Sequence, residues 1–293
     1  MTRVTLPTGI ELDVQDTGPR EGEALIFLHG FPESHRAWRH QIAHLSGRYR
    51  CIAPDQRGYR GSSKPQGKDA YTPDRLIGDV FQMANALGVE TFTVLGHDWG
   101  GAIAWGTALR GQADGRVTRA VIANAPHPLI FGRLLYTHEG QRAASQYIRT
   151  FRDPATDDFV RENGLPALLT RELKWDRAAD MGDHERARQQ EDWSDPDTAI
   201  AMLNWYRASP VDVPTMNAPF AMPDGYTPPA LPNLTIPTLV IWAMNDMALP
   251  PANLDGLDEL VDDLTIAKVP DCGHFVTWEK PDVVNAALDD FLP

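Results

Sequence analysis

One short run holds most of the chemical information in this chain: Gly96-His97-Asp98-Trp99-Gly100. It has the form glycine, any residue, nucleophile, any residue, glycine. The apolar run Thr91–Leu95 (TFTVL) precedes it and reads as a buried strand, and Ala102–Leu109 follows with helical spacing. A strand that turns into a helix through two glycines pushes the central side chain out above the sheet. The N-terminus of the following helix then favours negative charge at that point. The side chain so presented here is a carboxylate.

The residue type decides the reaction class. A serine that attacked a saturated carbon would form an ether, which no site water readily cleaves. A carboxylate attacking the same carbon forms an ester, whose carbonyl an activated water can attack to regenerate the acid. Asp98 in this setting therefore points to displacement at an sp³ carbon bearing a leaving group. The plainer reading is that Asp98 only caps the next helix, as Asp often does; the flanking glycines and the strand upstream weigh against it.

A base and an orienting acid are expected further along, in the order nucleophile, acid, histidine. Asp246 follows the apolar run Thr238–Trp242 (TLVIW). His274 follows Leu264–Val269, behind Gly273. Both fall in loops after strands, the edge at which sheet enzymes place their sites. Asn245, Asp255 and Asp271 compete with Asp246 for the acid role. His29-Gly30-Phe31-Pro32 follows another buried run, Ala24–Leu28 (ALIFL). A turn there would aim a backbone N–H at the nucleophile, so the N–H groups of Phe31 and Trp99 form the expected oxyanion hole. The turn is tight enough to suit a cis bond before Pro32.

These residues need a frame. The chain of 293 residues fits one core domain with an insertion. Short strands are expected near Thr5 and at Glu11–Val14, with further strands at Ala24–Leu28, Tyr49–Ala53, Thr91–Leu95, Arg119–Ala123, Thr238–Trp242 and Leu264–Val269. Helices are expected at Trp38–Leu45, Arg75–Leu87, Ala102–Leu109 and Pro281–Phe291, with Gly88 closing the second. This alternation predicts an α/β fold with a mostly parallel sheet covered on both faces. Between residues 129 and 229 the alternation stops, and helices, aromatics and charges take over. The expected division is a core of 1–128 and 230–293 with a helical cap of 129–229.

Composition narrows the partners. The net charge is −13, from 40 acidic and 27 basic residues, which disfavours nucleic acid and anionic membrane surfaces. Two cysteines, Cys51 and Cys272, make no disulfide framework, and no Cys/His cluster has metal-ligand spacing. With no apolar leader and no spanning segment, a cytoplasmic protein is expected.

Taken together, HGFPES (His29–Ser34), DQRGYRGSS (Asp55–Ser63), GHDWGG (Gly96–Gly101), NAPHP (Asn124–Pro128), the Asp246 loop and GHF (Gly273–Phe275) resemble the epoxide hydrolase branch of the α/β-hydrolase superfamily over nearly the whole chain. Arg60-Gly61 is transposed relative to the family's usual order, which is expected to alter only a loop. The resemblance implies two cap tyrosines that grip the epoxide oxygen: Tyr147 in SQYIRTFRDP and Tyr206 in NWYRA. It implies Asp98 attack, a hydroxyalkyl ester, and hydrolysis by water activated by His274 and Asp246, without metal or organic cofactor. Phe31, Pro32, Trp99 and Trp205 are the expected substrate contacts. The expected partners are a small epoxide and water, with no nucleic acid and no membrane, in a monomer or homodimer.

Two rivals stand beside this reading. Haloalkane or haloacetate dehalogenases use the same Asp nucleophile, and Trp99 could bind a departing halide. Those enzymes, however, usually add an Asn donor where Phe31 stands, or arginines near the nucleophile where this chain has Trp99, Ala102 and Ile103 and reaches its first arginine downstream only at Arg110. A non-catalytic binding module is the other rival, and the filled catalytic positions speak against it. Trp175, Trp193, Trp205, Met202, Met216 and Met222 are candidates to line an apolar cap pocket.

Overall fold

The sheet is built from buried, largely apolar strands at its centre and more polar, partly exposed strands at its edges. In the computed structural model, which describes residues 1–174 and 181–293, they are β1 (Thr2–Thr5), β2 (Glu11–Thr17), β3 (Ala24–Leu28), β4 (Arg50–Pro54), β5 (Phe92–His97), β6 (Val117–Ala123), β7 (Thr238–Ala243) and β8 (Leu264–Val269). They form one eight-stranded sheet in the order β1-β2-β4-β3-β5-β6-β7-β8. β1 and β2 pair antiparallel at one edge, and β2 pairs antiparallel with β4. From β4 to β8 all neighbours are parallel. The carboxyl ends of β3, β5, β6, β7 and β8 therefore lie along one edge, which is what places Phe31, Asp98, Asn124, Asp246 and His274 near one another.

The central strands are buried on both faces, as their unbroken apolar sequences require. Leu25, Phe27, Leu95, Val121 and Ile241 point to one side and pack with Trp38 and Leu288. The helices there are α1 (Arg39–Leu45) and, at the C-terminus, α10 (Val276–Glu279) and α11 (Pro281–Phe291). Ile26, Leu28, Val94 and Ile122 point to the other side, against α2 (Pro73–Ala86) and α3 (Trp99–Gly111). Pro73 starts α2 at a position whose N–H needs no partner. Gly88 follows its end at φ 68°, as expected for a C-terminal glycine.

The inserted segment is helical for only part of its expected length. It runs through α4 (Pro128–Thr137), α5 (Glu139–Ala144), α6 (Tyr147–Arg152), α7 (Ala155–Leu173), α8 (Asp183–Asp192) and α9 (Pro196–Ala208). From 209 to 237 the chain has no helix, and prolines at 210, 214, 219, 223, 228, 229, 232 and 237 account for this by removing donors and fixing φ. This stretch is held from outside. The fully buried Arg142 guanidinium donates to the carbonyls of Leu135, Tyr136, Ala218 and Pro219 and lies 3.8 Å from the Phe220 ring centroid. Trp175 lies outside the described residues. Among the described residues, no helix is long and apolar enough to cross a membrane.

Candidate active site

The bend between β5 and α3 has the geometry that the glycines allow. Asp98 has φ 52° and ψ −121°, a conformation that costs an L-residue about 1–3 kcal/mol and persists only where its surroundings impose it. Gly100 is required by contact: a Cβ there would sit 2.2 Å from the Leu28 carbonyl oxygen. The Asp98 side chain makes no cap bond to α3. Its Oδ1 instead accepts the Phe31 N–H at 2.7 Å, and its Oδ2 lies 3.4 Å from His274 Nε2. The helix-cap alternative is thereby removed. Gly30 makes the approach possible, since a Cβ there would lie 2.4 Å from the Asp98 Cβ. The Phe31–Pro32 bond is cis. Trp99 opens α3, so its N–H is among the first-turn donors that have no partner within the helix.

Behind Asp98, His274 Nδ1 donates to Asp246 Oδ2 at 2.7 Å. None of the competing acids holds that place. Asp246 is locked by four donors: Oδ1 accepts the N–H groups of Ala248 and Leu249, and Oδ2 accepts His274 and the Asn124 Nδ2 at 2.8 Å. Burial alone would lower the His274 pKa, but the Asp246 carboxylate, then Asp98, outweigh it and hold it well above its ordinary value. Burial alone would raise Asp98, but the His274 hydrogen bond and charge outweigh it and hold Asp98 below its ordinary value. The two carboxylates thus favour a proton on the imidazole that lies between them.

The cap supplies the roof. Tyr147 opens α6 and Tyr206 sits in the last turns of α9; their ring centroids are 6.0 Å apart. Tyr206 is 3% exposed and packs edge-on against Phe31 and Trp99, both at 5.1 Å. Phe151 fills the space between Tyr147, Tyr206 and Phe31. Burial, then the Asp98 charge, raise the Tyr147 pKa, and a hydrogen bond with Tyr206 partly offsets this. Burial, then Tyr147 and Asp98, raise Tyr206, against a hydrogen bond from Trp99. Both phenols are neutral donors at pH 7, and Asp98 is close enough to act on each. The Trp205 indole N–H goes to the Arg57 carbonyl at 2.9 Å, so this residue offers the site only its ring, which meets Trp99 at 6.0 Å.

Several residues here escaped sequence reasoning. Asn124, at φ 40°, joins Asp246 to the Ala243 N–H, which its Oδ1 accepts at 2.9 Å. His97 donates through Nε2 to the His274 carbonyl at 2.8 Å, and its Nδ1 faces Glu33 at 3.3 Å. Glu33 in turn accepts the Trp278 indole N–H at 2.7 Å. This chain steadies the backbone of the base loop from behind. The transposed Arg60 does more than alter a loop: at φ 42° it pairs with the buried Asp55 at 3.0 Å and with Asp192 of α8 at 2.7 Å. The candidate pocket methionines divide as well: Met202 is buried in the core of the cap, while Met216 and Met222 lie in the irregular stretch.

Comparison with known proteins bears on the family and the fold. A family model described as the alpha/beta hydrolase fold matches residues 23–281. The AB hydrolase superfamily protein YfhM of Bacillus subtilis is 32% identical over 97% of this chain and 95% of its own length. Epoxide hydrolase 2 of Caenorhabditis elegans is 27% identical over 97% of this chain and 77% of its own. Among solved structures, one described under novel epoxide hydrolases of the alpha/beta hydrolase superfamily in metagenomes from hot environments is 67% identical. It superposes with a TM-score of 0.97 and covers 100% of this chain and 98% of that one. The Bacillus megaterium epoxide hydrolase in complex with an inhibitor is 29% identical, with a TM-score of 0.86 over 99% of both chains.

Proposed function

This chain belongs to the alpha/beta hydrolase fold family, and we propose that it is an epoxide hydrolase working through a covalent ester on Asp98. The relatives named as epoxide hydrolases support the reaction class. The observation that carries the mechanism is the meeting of three groups from distant parts of the chain: a carboxylate with one oxygen held by the Phe31 N–H, and two neutral phenols close enough to feel its charge.

The chemistry follows from what each group can give. Asp98 Oδ2 attacks an epoxide carbon. The carbon–oxygen bond breaks, and the oxygen takes its proton from Tyr147 or Tyr206, because an unprotonated alkoxide leaves poorly. Ester formation removes the Asp98 charge, one of the two carboxylates that hold the His274 proton. The imidazolium then returns a proton to the phenolate and becomes a base. It deprotonates a water, and the hydroxide attacks the Asp98 carbonyl. The oxyanion forms on Oδ1, against the N–H of Phe31 and that of Trp99. Collapse releases the diol oxygen, which takes the proton from His274. The regenerated Asp98 acid ionises and recharges His274, so each atom and proton is accounted for.

The dehalogenase reading gains nothing from the site. Phe31 brings no side-chain donor beside Asp98, and its ring neighbours on the cap are Phe151 and Tyr206, with no arginine among them. The deciding experiment offers the enzyme styrene oxide and, separately, chloroalkanes and fluoroacetate. Diol formation without halide release is expected; halide release without diol would overturn the proposal. Intact-protein mass spectrometry of His274→Gln after exposure to styrene oxide should find an adduct with the mass of the whole epoxide on Asp98.

A further inference from the structure

The end of α8 reaches the oxyanion turn by two adjacent residues. Asp192 spans two arginines from different core loops: its Oδ2 accepts Arg36 Nη2 at 2.5 Å, and its Oδ1 accepts Arg60 Nε at 2.7 Å. Arg36 also pairs with Glu185, about two turns back along the same face of α8. Arg60 continues to Asp55, whose other oxygen accepts the His35 N–H at 3.0 Å and the His35 ring at 2.8 Å. Next to Asp192, the Trp193 indole donates to the Pro32 carbonyl at 2.7 Å. Arg36 and Asp192 side chains are 7% and 12% exposed, so these charges meet largely out of water.

These contacts converge on Pro32, His35 and Arg36. Phe31 is the residue of that loop whose N–H bonds the nucleophile. Pro32, gripped by Trp193, is its immediate neighbour. The cap thus holds the backbone that aims the oxyanion donor.

On the reading that Asp98 forms an ester, we propose that Asp192 and Trp193 are positioning residues for the oxyanion turn, and that their contribution falls on ester breakdown and not on ester formation. The asymmetry comes from where charge goes. During alkylation the carboxylate loses charge, so an N–H on Oδ1 gains nothing as the reaction proceeds. During hydrolysis a full oxyanion grows on Oδ1, and the same N–H stabilises it increasingly. A turn displaced by a few tenths of an ångström therefore slows the second step alone.

Trp193→Phe keeps the ring and removes the donor to Pro32; Arg60→Gln removes one charge from the bridge. The test is rapid-quench intact-mass spectrometry of single turnovers with styrene oxide, which follows the Asp98 ester as it forms and decays. Outright loss of an oxyanion donor costs about 100- to 1,000-fold, so a displaced one should slow ester decay about tenfold. Ester formation should stay within about twofold of the parent, and ester should accumulate. A general loosening of the fold would slow both steps together. Equal slowing of both steps, or unchanged decay in both variants, overturns the inference while leaving the ester mechanism intact. Failure to find ester on Asp98 in the parent and in His274→Gln overturns the mechanism itself, and the inference with it.

Discussion

Asn124 offers a prediction whose size can be worked from the structure. Its side chain ties Asp246, the acid of the proposed mechanism, to the sheet: Nδ2 donates to Asp246 Oδ2, and Oδ1 accepts the Ala243 N–H. Replacing it by Ala loses one hydrogen bond to a charged group, worth about 1.5–3 kcal/mol, and strands a buried N–H at about 1–3 kcal/mol. Asn124 also sits at φ 40°, where its Cβ costs about 1–2 kcal/mol, a strain that Ala keeps and Gly relieves. Asn124→Ala should therefore cost about 2.5–6 kcal/mol. At about 2 °C per kcal/mol for a chain of this size, that lowers Tm by about 5–12 °C. Asn124→Gly loses the same bonds without the strain, so its Tm should fall about 2–4 °C less. Asp246 keeps its bonds from Ala248 and Leu249, so the His274 tautomer survives. The kcat of either variant should drop about 10- to 100-fold, the usual cost of removing a residue that orients a catalytic group, and well short of the loss from the wrong tautomer. Calorimetry and steady-state diol formation measure both. Variants with unchanged Tm and kcat, or a Gly variant less stable than the Ala variant by several degrees, would refute the reasoning.

Other outcomes follow from the same geometry. Tyr147→Phe and Tyr206→Phe should each slow ester formation about 100-fold, the scale of a lost general acid, and the double variant further still; burst kinetics on styrene oxide would register it, and an unaffected burst would contradict it. In the parent, the His274 ring should remain protonated through neutral pH; in Asp98→Asn one of its two holding charges is gone, so its titration by ¹H–¹⁵N NMR must move to lower pH. Gly30→Ala should abolish turnover, because its Cβ would stand 2.4 Å from that of Asp98, and a fully active variant would count against the placement of the turn.

The parts of the site that could be read in the sequence are those with local grammar. Asp98 stands between glycines after an apolar run, Asp246 follows the fully buried strand Thr238–Ala243, and His274 follows Leu264–Val269, a partly exposed strand marked by its β-branched residues. Leu264–Val269 and Pro281–Phe291 match the structure residue for residue, since each is bounded by a clear polar or proline signal. The helical share of the inserted segment was harder to judge: aromatics and charges between 209 and 229 look no different from those before Ala208, and only the density of prolines separates them. Asn124, Glu33 and Asp192 were not legible as site residues because nothing near them in sequence marks their partners. Asn124 meets Asp246 across 122 positions, and Arg36 meets Asp192 across 156. Arg60 stands out in the sequence only as an exchange with Gly61, and its significance depends on a helix more than a hundred residues away.

The central claim is that Asp98 itself becomes covalently bonded to substrate, and isotopic oxygen tests it most directly. With enzyme in excess over styrene oxide in ¹⁸O-water, a single turnover should leave heavy oxygen in the peptide containing Asp98 and an unlabelled diol, because the product takes its new oxygen from the carboxylate. Heavy oxygen in the first-turnover diol, with none in Asp98, would mean that water attacks the epoxide directly.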